Sequence, residues 1–255
     1  MPLEIITLPC LSDNYAYLLH DAKSGRTALV DAPEAAPVKA ALSARGWGLD
    51  AILLTHHHYD HIDGVEELRR TYGASVYGAK ADAHRLPPLD HAVSVDESFD
   101  LFGEPVIVID VSGHTIGHIA FYLPDSAAVF TADSLMALGC GRLFEGSPAM
   151  MWDSLQRLMD LPPETLVYSG HEYTQSNARF AETIEPDNPA LQARVADIDA
   201  KRAKGEATVP VILQLELDTN PFLRAGTDEI KGALRLQDTD DEHVFAEIRK
   251  RKDNF

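Results

Sequence analysis

Short apolar runs bounded by turn residues fill the first two thirds of the chain. Residues 15–19 and 27–30 predict two strands separated by a turn at Lys23-Ser24-Gly25. Residues 35–45 carry helix formers and stop at Gly46, and residues 51–54 form a continuous apolar run that suits a buried strand. A second helix is expected over 64–72, ending at Gly73. Short strands are expected at 76–78, 106–111, 127–130 and 166–168. Strands alternating with helices predict a layered α/β architecture whose sheets are covered by helices.

The pattern changes after Tyr173. Residues 175–204 are rich in Ala, Arg, Asp and Gln, and Leu191, Val195 and Ile198 have helical spacing within 191–202. Another helix is expected over 244–251, and 208–211 reads as a lone strand. The expected organisation is therefore a first domain over 1–173 and a smaller, mainly α-helical domain over 174–255.

Composition narrows the field of functions. Asp and Glu number 40 against 22 Lys and Arg, a formal net charge of −18 over 255 residues. Nucleic-acid binding needs a cationic footprint, and adhesion to an anionic membrane needs the same, so neither partner is expected. No stretch approaches the roughly 18 apolar residues of a membrane span, and no secretory leader is read at the start. Two cysteines, Cys10 and Cys140, cannot build a disulfide framework and read as small buried fillers. A cytoplasmic monomer is expected.

The chemistry lies in the histidines. Thr55-His56-His57-His58-Tyr59-Asp60-His61 directly follows the strand at 51–54. Alternate side chains of extended backbone share a face, so His56 and His58 converge while His57 points away. The chain must then turn before the helix at 64–72, which sets Asp60 and His61 beside that pair. The same placement recurs: His114, Asp133 and His171 each follow the end of a predicted strand, where a rigid scaffold displays functional groups. Imidazole and carboxylate suit Zn²⁺ and related transition metals, and the lack of a nearby thiolate excludes a cysteine-type structural zinc site. Five His and two Asp suffice for two ions: His56, His58 and His114 on one, Asp60, His61 and His171 on the other, with Asp133 bridging. His118 reads as structural and His57 as a neighbour of the ligands.

These residues carry a resemblance. The 55–61 segment is the signature of the metallo-β-lactamase superfamily, and the chain more closely resembles the glyoxalase II (hydroxyacylglutathione hydrolase) family. Supporting segments are Asp13-Asn14-Tyr15, residues 112–115, 131–134, Gly139 to Gly146 through Gly-Cys-Gly-Arg, 169–174, 219–224 and 249–253. The resemblance implies an αββα sandwich with a dinuclear site, followed by a helical substrate-binding domain. It implies hydrolysis of S-2-hydroxyacylglutathione thioesters, chiefly S-D-lactoylglutathione, to a 2-hydroxy acid and glutathione, with two divalent ions: zinc, or alternatively iron or manganese. Asp133 and Asp60 are the implied catalytic carboxylates, Asp133 orienting the attacking water and taking its proton. Arg142, Phe144, Tyr173, Arg249 and Lys252 are the implied glutathione contacts, cations meeting the substrate's carboxylates. Phe144 stands where the family often has Tyr, and Tyr59 where Trp is common. A persulfide dioxygenase of the same fold uses one iron and generally lacks the long helical domain. A nuclease of the superfamily fits the acidic balance poorly.

Overall fold

A computed structural model describes residues 2–255, which fall into two compact units. The first comprises the described residues up to Asp110 together with 117–130; the second comprises 111–116 and 131–255.

In the first unit, the strands β1 (Glu4–Cys10), β2 (Asn14–His20), β3 (Thr27–Val30), β4 (Ala51–Leu53), β5 (Ser75–Ala79) and β6 (His91–Val93) make one six-stranded sheet in chain order. The first three run antiparallel and the last three continue in parallel. Parallel neighbours require crossovers, and α1 (Ala35–Arg45) supplies the one from β3 to β4. The pair α2 (Tyr59–Ile62) and α3 (Val65–Tyr72) supplies the next. Val38 and Leu42 of α1 and Val65 and Leu68 of α3 pack in one cluster with Leu18, Leu29, Ile52 and Val76. Every residue of β2, β3 and β4 is buried, as expected for strands covered on both faces.

The other cover is a second sheet. Within the first unit, β7 (Ser98–Leu101), β8 (Glu104–Asp110), β9 (Ile119–Leu123) and the first three residues of β10 (Ala128–Ala132) pair antiparallel in sequence. Tyr17 of β2 meets Phe130 of β10 at 5.4 Å between ring centroids, and Tyr77 of β5 stacks on Phe99 of β7 at 4.9 Å.

The second unit holds the hairpin β11 (Leu135–Met136) and β12 (Gly139–Cys140), α4 (Pro148–Met159), and β13 (Leu166–Ser169). It continues with α5 (Thr174–Ile184), α6 (Pro189–Arg202), β14 (Val211–Ile212), α7 (Leu213–Thr219), α8 (Asp228–Leu234) and α9 (Asp241–Asp253). The chain after Tyr173 is thus helical apart from β14, which pairs antiparallel with β13. Pro148 and Pro189 open α4 and α6, where a missing N–H costs nothing. Ser147 and Asn188 accept the first free amides of those helices. Trp152 of α4 packs on Phe245 of α9.

Two local features depart from the sequence expectation. Asp60 and His61 sit in a one-turn helix, α2, where only a turn was expected. That turn is tied back to the segment after β3, because Ala32 N–H donates to the His61 carbonyl at 2.8 Å and Gly64 N–H donates to the Ala32 carbonyl at 2.8 Å. The strand expected at 208–211 is reduced to residues 211–212.

Gly64 makes that tie possible. A Cβ there would lie 2.8 Å from the Glu34 carbonyl carbon and 2.9 Å from the Ala35 nitrogen, and neither backbone atom has room to yield. Gly64→Ala is expected to destabilise the protein by about 1–3 kcal/mol. Gly48→Ala, whose Cβ would meet nothing within 4 Å, should leave stability nearly unchanged. Urea unfolding of the two variants checks the contrast, and equal midpoints would refute it.

Candidate metal centre

Strand β4 delivers the first group of donors. His56, buried on leaving the strand, brings Nε2 to 3.2 Å from Nδ1 of His58. The intervening His57 points elsewhere and meets buried Asp82, its Nδ1 3.1 Å from Oδ2. The alternation expected of extended backbone is therefore present. His61 is fully buried, its ring 4.2 Å from that of His56, and its Nε2 lies 3.8 Å from Oδ2 of Asp60. Asn14 holds Asp60 in place through Nδ2, which donates to the Asp60 carbonyl at 2.9 Å and to Oδ2 at 3.0 Å. His118 stacks on His56 at 4.6 Å and donates from Nδ1 to the Ile119 carbonyl, a packing role as expected.

The second unit presents the remaining three. Asp133 follows the last residue of β10, His171 follows β13, and His114 lies on the 111–116 segment. A single oxygen, Oδ2 of Asp133, lies 3.4 Å from Nε2 of His114 and 3.3 Å from Nε2 of His171. All three residues are buried.

These spacings fit a metal. Bonds of 2.0–2.1 Å in tetrahedral geometry separate ligand atoms by roughly 3.3 Å, and the observed separations are 3.2, 3.3 and 3.4 Å. The proton inventory fits as well. An imidazole ligates through a bare nitrogen, which requires its other N–H to have a fixed acceptor. His114 donates from Nδ1 to the Arg142 carbonyl at 2.8 Å. His61 donates from Nδ1 to Oδ2 of Asp31 at 2.8 Å. The Thr55 hydroxyl donates to that same carboxylate oxygen at 2.8 Å, so its own oxygen accepts from His56 Nδ1 at 3.0 Å. In each case Nε2 is left bare.

Asp31 was missed in the sequence. It is buried, takes Thr55 N–H on its other oxygen at 2.9 Å, and has a left-handed backbone with φ of 55°. The available signal was its place directly after the strand at 27–30, the same placement that marked Asp133.

The expected substrate residues all lie in the second unit. Tyr173 stacks on His171 at 4.6 Å, and Phe144 stands 5.2 Å from the ring of His114 with 62% of its surface exposed. Arg142 is exposed along most of its side chain and approaches Asp253 at 3.7 Å. Lys252 lies over the rings of Phe180 and Phe255 and donates to the Ser176 carbonyl. Burial, aided by the neighbouring Arg249 and Arg179, lowers its pKa to about 8. Arg249 is placed differently, being only 6% exposed. Its guanidinium donates to the Cys140 carbonyl at 2.9 Å and, through Nε and Nη2, to Oδ1 of Asp253. Both cysteines are buried and free, and burial pushes Cys10 up to about 12.

His and Asp side chains in this number and order along the chain mark the metal-dependent hydrolases of the metallo-β-lactamase superfamily, and that superfamily's model matches residues 12–171. The model of the hydroxyacylglutathione hydrolase C-terminus matches residues 172–255. The hydroxyacylglutathione hydrolase of Ruegeria pomeroyi is 66% identical over 255 residues, all of both chains. The chain belongs to the hydroxyacylglutathione hydrolase family. Among solved structures, ETHE1 from Myxococcus xanthus is 25% identical with a TM-score of 0.68, covering 98% of this chain and 90% of its own. TTHA1623, solved in a di-iron-bound form, is 28% identical with a TM-score of 0.61, covering 86% of this chain and 100% of its own.

Asp31→Asn should lower metal affinity by about 10–100-fold, the usual cost of losing the partner of a ligand histidine. Competition with a chromophoric chelator measures it, and wild-type affinity would remove Asp31 from the centre.

Proposed function

We propose that this chain hydrolyses S-2-hydroxyacylglutathione thioesters, S-D-lactoylglutathione first among them, to a 2-hydroxy acid and glutathione. In that role it performs the second step of methylglyoxal detoxification, as a cytoplasmic monomer. Residues 1–173 are its catalytic part and 174–255 its glutathione-binding part. The observation that carries the reading is the Asp133 oxygen standing at ligand spacing from both His114 and His171. A carboxylate so placed can be shared by two ions, and family membership supplies the thioester.

His56, His58 and His114 would hold one ion and Asp60, His61 and His171 the other, with Asp133 common to both. Zinc suits this nitrogen and oxygen set, and iron or manganese would be accepted as well. When bound, the ions would acidify water and polarise the thioester carbonyl. Asp133 orients the attacking water and takes its proton. Asp60, held by Asn14, presents its carboxylate beside His61. The departing thiol has an ordinary pKa near 8.5, so it leaves as thiolate without a dedicated acid.

Arg142 and Lys252 meet the glutathione carboxylates, while Tyr173 and Phe144 line the approach beside His171 and His114. Phe144 offers a ring where the family often offers a phenol, so its contact is apolar. Arg249, with Cys140 and Asp253 as partners, stands behind these groups.

Purified protein should carry close to two metal ions per chain, and lactoylglutathione hydrolysis should vanish with a chelator and return with metal. Asp133→Ala should lower kcat by roughly 10²–10⁴-fold. Metal analysis beside a thioester assay tests both, and full turnover by the metal-free chain would sink the reading.

Lys252 gives a pH signature. Burial lowers its pKa to about 8, so it loses its charge as pH rises through that value, and anionic substrate loses a partner. KM should be flat below pH 8 and climb above it. Lys252→Arg, charged throughout, should remove the climb. An identical climb in that variant would place its cause elsewhere.

A further inference from the structure

We infer that the helical segment after Tyr173 sets the geometry of Asp133 and His114 through the 135–142 loop, in addition to offering cations to the substrate. The inference rests on the ligand roles proposed for those two residues. The loop β11–β12 begins two residues after Asp133 and ends beside Arg142, whose carbonyl holds His114 Nδ1. Its short ladder pairs only Leu135 with Cys140 and Met136 with Gly139, which leaves most of its polar backbone to be met from outside.

Side chains of the later helices meet it almost group by group. Asn220 Nδ2 donates to the Met136 carbonyl at 3.2 Å and the Gly139 carbonyl at 3.0 Å. Asn177 of α5 donates to the Ala137 carbonyl at 3.1 Å. Glu216 of α7 accepts the Leu138 N–H at 2.9 Å. Arg249 of α9 donates to the Cys140 carbonyl at 2.9 Å. Asn177, Glu216, Asn220 and Arg249 are all buried. Glu216 is in turn fixed by an ion pair with buried Arg194 of α6. Three helices, α5, α7 with its C-cap Asn220, and α9, therefore converge on five consecutive residues, 136–140, and α6 backs them through Arg194.

The loop transmits this grip to the centre. Gly141 N–H donates to the Ser134 carbonyl at 2.9 Å, closing the chain onto the residue next to Asp133. A Cβ at Gly141 would overlap the Asp133 carbonyl oxygen and sit 3.1 Å from His114 Nδ1, so the backbone passes directly against both ligands. A loop free to shift by an ångström would carry the Arg142 carbonyl with it, and His114 would lose its fixed proton acceptor. The Thr219-Asn220-Pro221-Phe222-Leu223-Arg224 motif, which the substrate reading leaves without work, acquires a role through Asn220.

The test uses the full-length, metal-loaded chain with Asn220→Ala and Asn177→Ala, the second serving where the first does not fold. Both should lower kcat by about tenfold or more while KM for lactoylglutathione stays within about twofold, the split expected when positioning is lost and substrate binding is kept. Both should also retain less metal than wild type at a fixed chelator concentration. Asn177→Gln, which keeps an amide donor, should restore part of each loss. Variants that are merely less stable, with wild-type kcat and metal retention per folded chain, would overturn the inference. A raised KM at unchanged kcat would overturn it equally. If the variants lose metal but wild type hydrolyses no thioester, the positioning role stands and the proposed function falls.

Discussion

A histidine is a metal ligand only when one ring nitrogen is bare and aimed, and that depends on where its other proton is kept. Much of this structure can be traced to that requirement. Asp31 keeps the proton of His61 and, through the Thr55 hydroxyl, determines that of His56. The Arg142 carbonyl keeps that of His114. One buried carboxylate thus serves a histidine from each of the two proposed ion sites. Parallel pairing of β3 with β4 runs Val30 beside Leu53, so Asp31, one residue on, and Thr55, two residues on, emerge together at the same sheet end. The sheet register is what brings the acceptor to the histidines.

The other acceptor is a backbone carbonyl, and it needs a different kind of support. A carboxylate on a strand end inherits the rigidity of the sheet. A carbonyl in an irregular loop is only as fixed as the loop. Leaving a buried carbonyl or amide without a partner costs roughly 1–3 kcal/mol, so each side-chain bond to residues 136–140 strongly favours one loop conformation. Glu216 and Arg194 could have been a costly buried pair, but the carboxylate also accepts from Leu138 and Asn220, which offsets its desolvation. The helices after Tyr173 and the residues from 131 to 171 form one compact unit for the same reason.

The expected αββα architecture and the family were both legible in the sequence, because strands β2, β3, β4, β8, β10 and β13 carry apolar runs and the ligand motif has fixed spacing. Strand β9, Ile119–Leu123, is buried throughout and was passed over although legible, since Gly117 precedes it and Pro124-Asp125-Ser126 follows it. Helix α4 was missed because its buried face includes Met151, Trp152 and Ser154, and a buried serine breaks the apolar period. Convergence of His56 with His58 follows from local backbone geometry, so it could be expected. The contacts of Asp31 with Thr55 and of Asn220 with Met136 could not, since each spans 24 or more residues and only register and helix packing bring its ends near. The basic run Arg249 to Lys252 reads by position alone as a solvated helix end, and only the family resemblance implies Arg249 as a glutathione contact. The helix rotates it inward, away from Lys250 and Arg251, and its charge is met by Asp253.

That inward rotation changes what the net charge of −18 means. Charge spread over a surface repels anions only within about 8 Å at physiological salt, so local arrangement decides which anions bind. Arg249 beside Lys252 is one of the causes that depress the lysine's pKa, after burial itself. Asp253 partly relieves the crowding by accepting from Arg249 and approaching Arg142. An incoming carboxylate that pairs with Lys252 would relieve it further, so the ammonium gains more from an anion here than it would in open water. The acidic exterior does not oppose this, since a compact anion that reaches the cluster is held by neighbours within a few ångströms. The same arrangement therefore suits a small anionic carboxylate.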